Sequence, residues 1–432
     1  MRTRIDLRAT AQRGPVMRTI VRTMVLVASA TSVAAQIPNA SAAATGLSGA
    51  FTARARGYDA MAWNPANLGM PGNPDFSLGL LALSASSGLD PISLSDVAPF
   101  SGKALPASQR DLWLQTITAK GAESGRVDGG VTGLALSAGP IALSVSGSVA
   151  GSTKLAPDAF EALMFGNAGR TGTVKDLSLA GSLLHMGAFT TAAASYAIGF
   201  GDTASHFALG VTGKYVLGNA VAIAQDQGTT ATSAGVNVNF PAVFSRPDSD
   251  VVAGSGMGLD VGLAWSHRRF NFGAAVQNVM NTFAWDETKL YSRTAMAVFN
   301  ETTDTTDFSD RPYATAPATL RAMVVNDKFK PVVSAGIAYE LNGATTFSAD
   351  VRQRIGDGIA IGPKTQISGG LEFRGIPLLR LRGGAAYVTD GWGASGGASL
   401  SLGALDIGVG ASLRHVNGGL EPGVTLNLLS FR

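Results

Sequence analysis

The sequence predicts an all-β chain, a transmembrane antiparallel β-barrel of about 14 strands, and three observations lead there. The first is a repeated segment of about ten residues with alternating character. Leu379, Leu381, Gly383, Ala385 and Tyr387 fall on one side of such a segment, with Arg380, Arg382, Gly384 and Ala386 on the other. Leu405, Ile407, Val409, Ala411 and Leu413 repeat the pattern against Asp406, Gly408, Gly410, Ser412 and Arg414. A period of two puts each set on one face of a strand. Strands of roughly 9–11 residues, apolar outside and polar or small inside, are what a membrane barrel requires. The second observation is composition: only 15% of the 432 residues are charged, and 54 are Gly. A soluble domain carries about 25% charged residues, so much of this surface is not built for water. The third is that no apolar run after the amino-terminal segment approaches the ~18 residues of a spanning helix. Open sheet edges cannot face lipid, which leaves a closed barrel.

The formal charge of +3 and pI near 9.1 come from scattered residues. A nucleic-acid binder clusters its Lys and Arg on one face, and no such cluster is present in the sequence. The absence of Cys excludes disulfides and thiolate metal sites.

Taken in order, residues 1–35 read as a cleaved export signal. Arg18 and Arg22 precede the apolar stretch Met24 to Ala30, and Val33-Ala34-Ala35 supplies small residues. Cleavage after Ala35 fits that rule, with cleavage after Ala44 as the second choice. Initiation at Met17 gives a signal of more ordinary length. An amphipathic or buried helix is the competing reading.

Residues 45–75 are not barrel-like; 36–75 are expected to form a separate amino-terminal segment and 76–432 the barrel. Strands are expected near 76–86, 129–138, 140–150, 188–200, 206–217, 257–267, 270–280, 331–341, 344–354, 365–374, 378–388, 392–402, 404–414 and 422–431. Short turns fall at Gly139-Pro140, Gly201 to Ser205, His267 to Arg269, Asn342-Gly343, Gly375 to Pro377 and Gly403. Most of the alternate connections are long: 87–128, 151–187, 218–256 and 281–330. Barrels of this class have short periplasmic turns and long extracellular loops, so both termini are expected in the periplasm. Short helices are expected in two loops. One is capped at Ser108 with Asp111 following and Leu112, Trp113 and Ile117 as its stripe; the other starts at Pro157 with Phe160, Leu163 and Met164. They form either a greasy access site or a cover over the barrel mouth.

The segment before the first strand reads Thr45-Gly46-Leu47-Ser48-Gly49-Ala50-Phe51, then Gly57-Tyr58-Asp59-Ala60-Met61-Ala62-Trp63-Asn64-Pro65-Ala66-Asn67-Leu68. A small-residue stretch, an Asp, an aromatic and Asn-Pro-Ala before a Leu resembles the N-terminal hatch of the FadL-like outer-membrane family. That family includes fatty-acid and aromatic-hydrocarbon transporters and the related PorV-like proteins of secretion systems. Ser334 to Tyr339, Thr346 to Val351, Gly369 to Glu372 and Leu379 to Gly384 follow the order of a PorV-like chain. The resemblance implies a 14-stranded barrel plugged by its N-terminus, with Asp59, Trp63, Asn64, Pro65 and Ala66 as the hatch motif. Asn sets a local turn and Pro fixes φ and stops further pairing. Both a moving plug and a static turn that seals the barrel fit these residues.

The inner face is expected to carry Asp260, Glu340, Asp350, Arg352, Glu372, Arg374, Arg380, Arg382 and Asp406. A turn centred near Ile376 sets Glu372 opposite Arg380. One reading is a ligand-carboxylate site built from Arg380 and Arg382, since Arg recognises carboxylates through paired donors. The other is a network that solvates the lumen and anchors the plug.

Signatures of an enzyme are missing from the sequence. His185, His206, His267 and His415 are isolated, and no Gly-x-Ser-x-Gly elbow or phosphate loop occurs. Gly254 to Gly258 opens a strand, not a helix. Glu301, Asp304, Asp307 and Asp310 lack EF-hand spacing and read as a solvated loop, with a Ca²⁺ site as the alternative. No cofactor and no metal are expected. The penultimate Phe431 resembles the assembly signal of outer-membrane barrels, with a slip in alternation at Leu428-Leu429 that suggests a bulge. Two functions are left for a barrel in outer-membrane lipid. One is FadL-like passage of a hydrophobic small molecule. The other is a PorV-like role, binding a protein partner at the extracellular loops, with Phe299, Phe308 and Tyr313 exposed, or at the periplasmic face.

Overall fold

A computed structural model describes residues 40–431 except 203, 247, 249, 301, 303, 360 and 361. The expected export signal, residues 1–35, lies outside the described residues. Before the first strand the chain makes a short helix, α1 (Ala42–Gly46), then a 3-10 turn, Gly57–Asp59, a single helical turn, Ala60–Trp63, and a second 3-10 turn, Pro65–Gly69. The barrel strands follow as β1 (Phe76–Asp90), β2 (Glu123–Ala138), β3 (Ile141–Leu155), β4 (Leu183–Gly201) and β5 (Ser205–Gln225). Next come β6 (Gly254–His267), β7 (Phe270–Asn281), β8 (Val332–Asn342), β9 (Thr345–Arg354) and β10 (Thr365–Ile376). The last are β11 (Leu379–Val388), β12 (Gly391–Leu402), β13 (Leu405–Val416) and β14 (Gly419–Phe431). Each pairs antiparallel with the next, and β14 returns to β1 with Leu78 opposite Phe431 and Ser86 opposite Gly423. The protein is a closed 14-strand antiparallel barrel.

Alternation decides which way each side chain points. Ile141, Leu143 and Val145 stand exposed on the outer face of β3, while Ala142 and Ser144 are buried inside. Phe200, Phe207, Trp265, Phe270 and Phe347 form an exposed aromatic belt near the short turns. Tyr387 and Trp392 stand exposed on the outer face at the opposite end. Aromatic girdles of this kind flank the lipid-facing band of a membrane barrel.

Bulges explain where the alternation is hard to read. In β14, Asp406 pairs with Ser430 but Gly408 pairs with Asn427, so the slip at Leu428-Leu429 is a bulge. Leu81 of β1 takes a left-handed φ of 53°, and β2 shifts register against β3 between Thr132 and Leu134. In the β4–β5 hairpin, Ala188 pairs with Ala220 while Phe189 pairs with Gly218. The extra residue Asn219 reverses the parity, and the hairpin runs on to Leu183 and Gln225, through residues 183–187 and 218–225 that the sequence reading assigns to loops.

The expected loop helices form as α2 (Ala107–Lys120) and α3 (Pro157–Phe165). Ser108 is not the cap: α2 starts after Pro106 without a side-chain cap, because Ser108 already lies inside the helix. A further loop helix, α4 (Ala318–Asn326), sits between β7 and β8. Loop segments 177–178, 230–232, 235–239, 296–299 and 304–307 pair as a separate five-stranded sheet.

Candidate functional site in the lumen

The described part of the amino-terminal segment lies against the inner wall. Small residues of the wall permit the approach: a Cβ on Gly384 would sit 2.5 Å from the carbonyl carbon of Leu47, and one on Gly210 would collide with the amide of Ala66. Polar wall side chains then hold its side chains and backbone. The Thr45 and Thr425 hydroxyls are 2.7 Å apart, as are those of Ser48 and Ser395. Asp350 Oδ2 accepts from the amides of Phe51 at 3.1 Å and Thr52 at 2.7 Å. On the other side, Thr212 donates to the Met61 carbonyl at 3.2 Å and Gln277 to that of Ala62 at 2.6 Å.

The motif residues occupy the middle of this path. Asn64, fully buried, donates from Nδ2 to the Leu263 carbonyl at 2.8 Å and accepts from the Ala66 amide at 3.2 Å. Pro65 opens the 3-10 turn that Asn64 caps. Trp63 packs edge-on against Phe51 with ring centroids 5.6 Å apart, and the Arg352 guanidinium lies 5.8 Å from its ring. Asp59 is fully buried and shares a cavity of about 20 Å3, the size of one water, with Arg380, Arg382 and Asp406.

The wall charges do not form one network. Glu372 gathers Arg54 of the segment at 2.7 Å, Arg382 at 2.6 Å and Arg374 at 2.6 Å. Its strand partner is Arg382, not the expected Arg380, because the hairpin turns at Pro377-Leu378 and not near Ile376, with a register shift between Phe373 and Ile376 setting the final pairing. Arg380 instead faces Asp406 at 3.4 Å. Asp260 lies apart, bound to Lys214 at 2.6 Å and to the Asn278 amide at 2.7 Å, where β6 and β7 shift register. Glu340 is exposed at the short-turn mouth. Burial, with the neighbouring charge of Arg54, pulls the Arg56 guanidinium down to about 10, against an opposing pull from Glu340.

A second set of residues enters the lumen from the long-loop end. Phe283 and Trp285, just after β7, fold back onto Gly218, Gly254 and Gly256 of the inner wall. They meet Phe189 of β4 and Phe329 beyond α4, with ring centroids between 5.0 and 5.6 Å. Leu320 and Val324 of α4 complete this buried apolar cluster. Asp327, just after α4, ties it to the wall: its carboxylate takes Trp285 Nε1 at 2.8 Å and faces His185 Nε2 of β4 at 3.0 Å. Nothing in the sequence marks this site, since Phe283 and Trp285 sit in a loop without a period. The only signal is the glycine run opening β6, whose missing side chains make room for the rings.

Above the rim, α2 packs on α3 through Trp113, Leu114, Ile117 and Phe160, leaving Leu112 and Leu163 half exposed. Tyr313, expected to be exposed, is buried in the outer cluster at 4% exposure; Phe299 and Phe308 are exposed. Asp307 pairs with Arg311, and Asp310 with Arg246 and Arg293, so arginines take up those carboxylates. Glu301 of the same run lies outside the described residues.

Compared by sequence, the chain matches no protein-family model and no curated protein. Solved structures similar to it include a Pseudomonas aeruginosa FadL homologue, 13% identical over 92% of this chain and 98% of that one, with a TM-score of 0.47. The Pseudomonas putida toluene transporter TodX is 11% identical over 92% of this chain and 98% of that one, with a TM-score of 0.49. The CymD monoaromatic hydrocarbon channel is 10% identical over 91% of this chain and 97% of that one, with a TM-score of 0.47. These are likenesses of fold.

Proposed function

We propose that this barrel sits in the outer membrane with both termini in the periplasm and passes a hydrophobic small molecule inward. The aromatic cluster of Phe189, Phe283, Trp285 and Phe329 is the observation that carries the reading. A barrel lumen is ordinarily polar, and an apolar lining on the inner wall suits an apolar guest. In this reading the conformation is a closed one, with the amino-terminal segment and the outer cluster acting as stoppers. In this reading a guest collects at Leu112 and Leu163, displaces the rings of the outer cluster, and leaves once the amino-terminal segment shifts as a hatch. Asn64, Pro65 and Ala66 would then set the hatch turn, and the Glu372 cluster would anchor it. No catalytic step is assigned.

The test is uptake of a fluorescent hydrophobic probe by cells that depend on this barrel. Phe329→Ala, which removes a ring from the loop side of the cluster, is expected to change the rate several-fold at equal barrel abundance. Equal uptake with and without the barrel would exclude the reading. A second reading, a protein-binding barrel, draws on the five-stranded outer sheet, whose Met296 and Phe299 are exposed. Co-purification of one stoichiometric protein, with no effect on probe uptake, would favour it.

A further inference from the structure

We propose that the neck of the first outer loop is a proton-operated hinge, held shut while Glu123 carries a proton and loosened once it is ionised. The device acts on the loop and does not depend on what the barrel passes. Residues 91–122 leave the wall at the end of β1, carry α2, and return at the start of β2. Asp90 lies opposite Ser124, so the two ends of the loop stand side by side.

One carboxyl group ties the entry of the loop to its exit. Glu123 Oε2 accepts from the Ile92 amide at 3.2 Å, and Ile92 is buried in the apolar cluster of Trp113, Leu114, Ile117 and Phe160. Glu123 Oε1 is buried with no hydrogen-bond partner among the described residues. A carboxyl in that setting is held more readily neutral than charged. Beside it the exit turns on Gly121, at a φ of 94° and with open space where a Cβ would stand. That left-handed glycine is a joint on which α2 can swing.

The charges around the neck favour the neutral form. Asp90 at the entry and Asp96, in the short helix Leu94–Val97, both set a negative charge against Glu123. Asp96 is held in place by the Ser93 amide, which donates to it at 2.9 Å. Lys120, at the end of α2, faces Asp90 at 3.9 Å and donates to the Asn417 carbonyl at 2.5 Å. From the neighbouring strands, β3 sets Leu155 opposite Glu123 and Lys154 opposite Ser124, while His415 and Glu421 act on Asp90 with opposite signs. Burial pushes the Glu123 carboxyl up to about 7, opposed by the Ile92 hydrogen bond and aided by Asp90 and Asp96. These groups sit at the long-loop ends of their strands, outside the lipid-facing band. A value raised in the shut neck gives a hold that is complete below the open-chain value of about 4.3 and is lost as pH rises through about 7.

The experiment is amide exchange of the purified full-length barrel in neutral detergent, with protection corrected for the intrinsic pH dependence of exchange. Protection in residues 92–120 is expected to fall about tenfold between about pH 5 and pH 8.5, while the β10–β14 wall shows no such change. Glu123→Gln keeps an acceptor for Ile92 and cannot ionise, so its protection is expected to stay near the wild-type pH 5 level throughout. Asp90→Asn removes a neighbouring charge and is expected to make the fall smaller. Unboiled gel migration establishes that each variant is a folded barrel. A fall of the same size in Glu123→Gln overturns the proposal. So does wild-type protection that is flat or rises with pH.

Discussion

The carboxylate of Glu372 on β10 meets the guanidinium of Arg54 at 2.7 Å, with the two side chains 3% and 8% exposed. This contact joins the amino-terminal segment to the wall through charges shielded from solvent. Arg382 closes on the same carboxylate from the next strand and also donates to Ser399 at 2.6 Å. Removing the carboxylate leaves buried guanidiniums without their counter-charge, which typically costs about 3–5 kcal/mol. Glu372→Gln is therefore expected to loosen the segment. Planar-bilayer recordings should show larger or more frequent openings than wild type, and an unchanged closed trace would count against the anchor.

The approach of Leu47 to Gly384 supplies a steric test. A Cβ there would sit 2.5 Å from a backbone atom, a distance the segment must relieve by moving. Gly384→Ala is expected to expose residues 40–73 to limited proteolysis while the barrel keeps its heat-modifiable gel migration. Protection equal to wild type would place the segment elsewhere.

At the long-loop end, Asp327 supports both Trp285 and His185. Asp327→Ala leaves the buried Trp285 Nε1 without its acceptor, a loss of about 1–3 kcal/mol. Amide exchange in residues 318–326 should accelerate, with little change in the β10–β14 wall. Exchange at the wild-type rate would mean that the apolar packing alone holds α4.

Asp310 gives a pH-dependent outcome in the outer loops. Hydrogen bonding from Arg293, and then from Arg246, holds its carboxyl below the ordinary carboxylate range. A lowered native value contributes stability above the unfolded value of about 3.9, and that contribution is lost as pH falls through the native value. The pairing of 290–293 with 310–312 is thus expected to loosen only in that acidic window. Exchange measured between neutral pH and pH 3 should show it, and Asp310→Asn should already be loosened at neutral pH. A wild-type profile that is flat to pH 3 would contradict this.

The strand set was legible because lipid on one side and a small, polar lumen on the other impose a strict period of two. Register was less so. A turn among Gly375, Ile376, Pro377 and Leu378 can be centred at more than one place, and it forms at Pro377-Leu378, which is why Glu372 faces Arg382 and not Arg380. The slip at Leu428-Leu429 was visible because two large apolar residues fall in succession. In the lumen, Asp350 and Glu372 could be picked out from their strand faces, but their partners, the Phe51 and Thr52 amides and Arg54, come from a segment with no period. The outer cluster was hidden for the same reason. Its rings and its glycine seats are distant in sequence, and only the fold unites them.

The most direct measurement of the proposed passage is native mass spectrometry of the barrel released gently from outer membranes. A bound hydrophobic molecule of defined mass is the expected result, with its occupancy reduced in Phe329→Ala. A barrel that carries a stoichiometric protein and no small molecule, or one that arrives empty from membranes loaded with hydrophobic compounds, would contradict it.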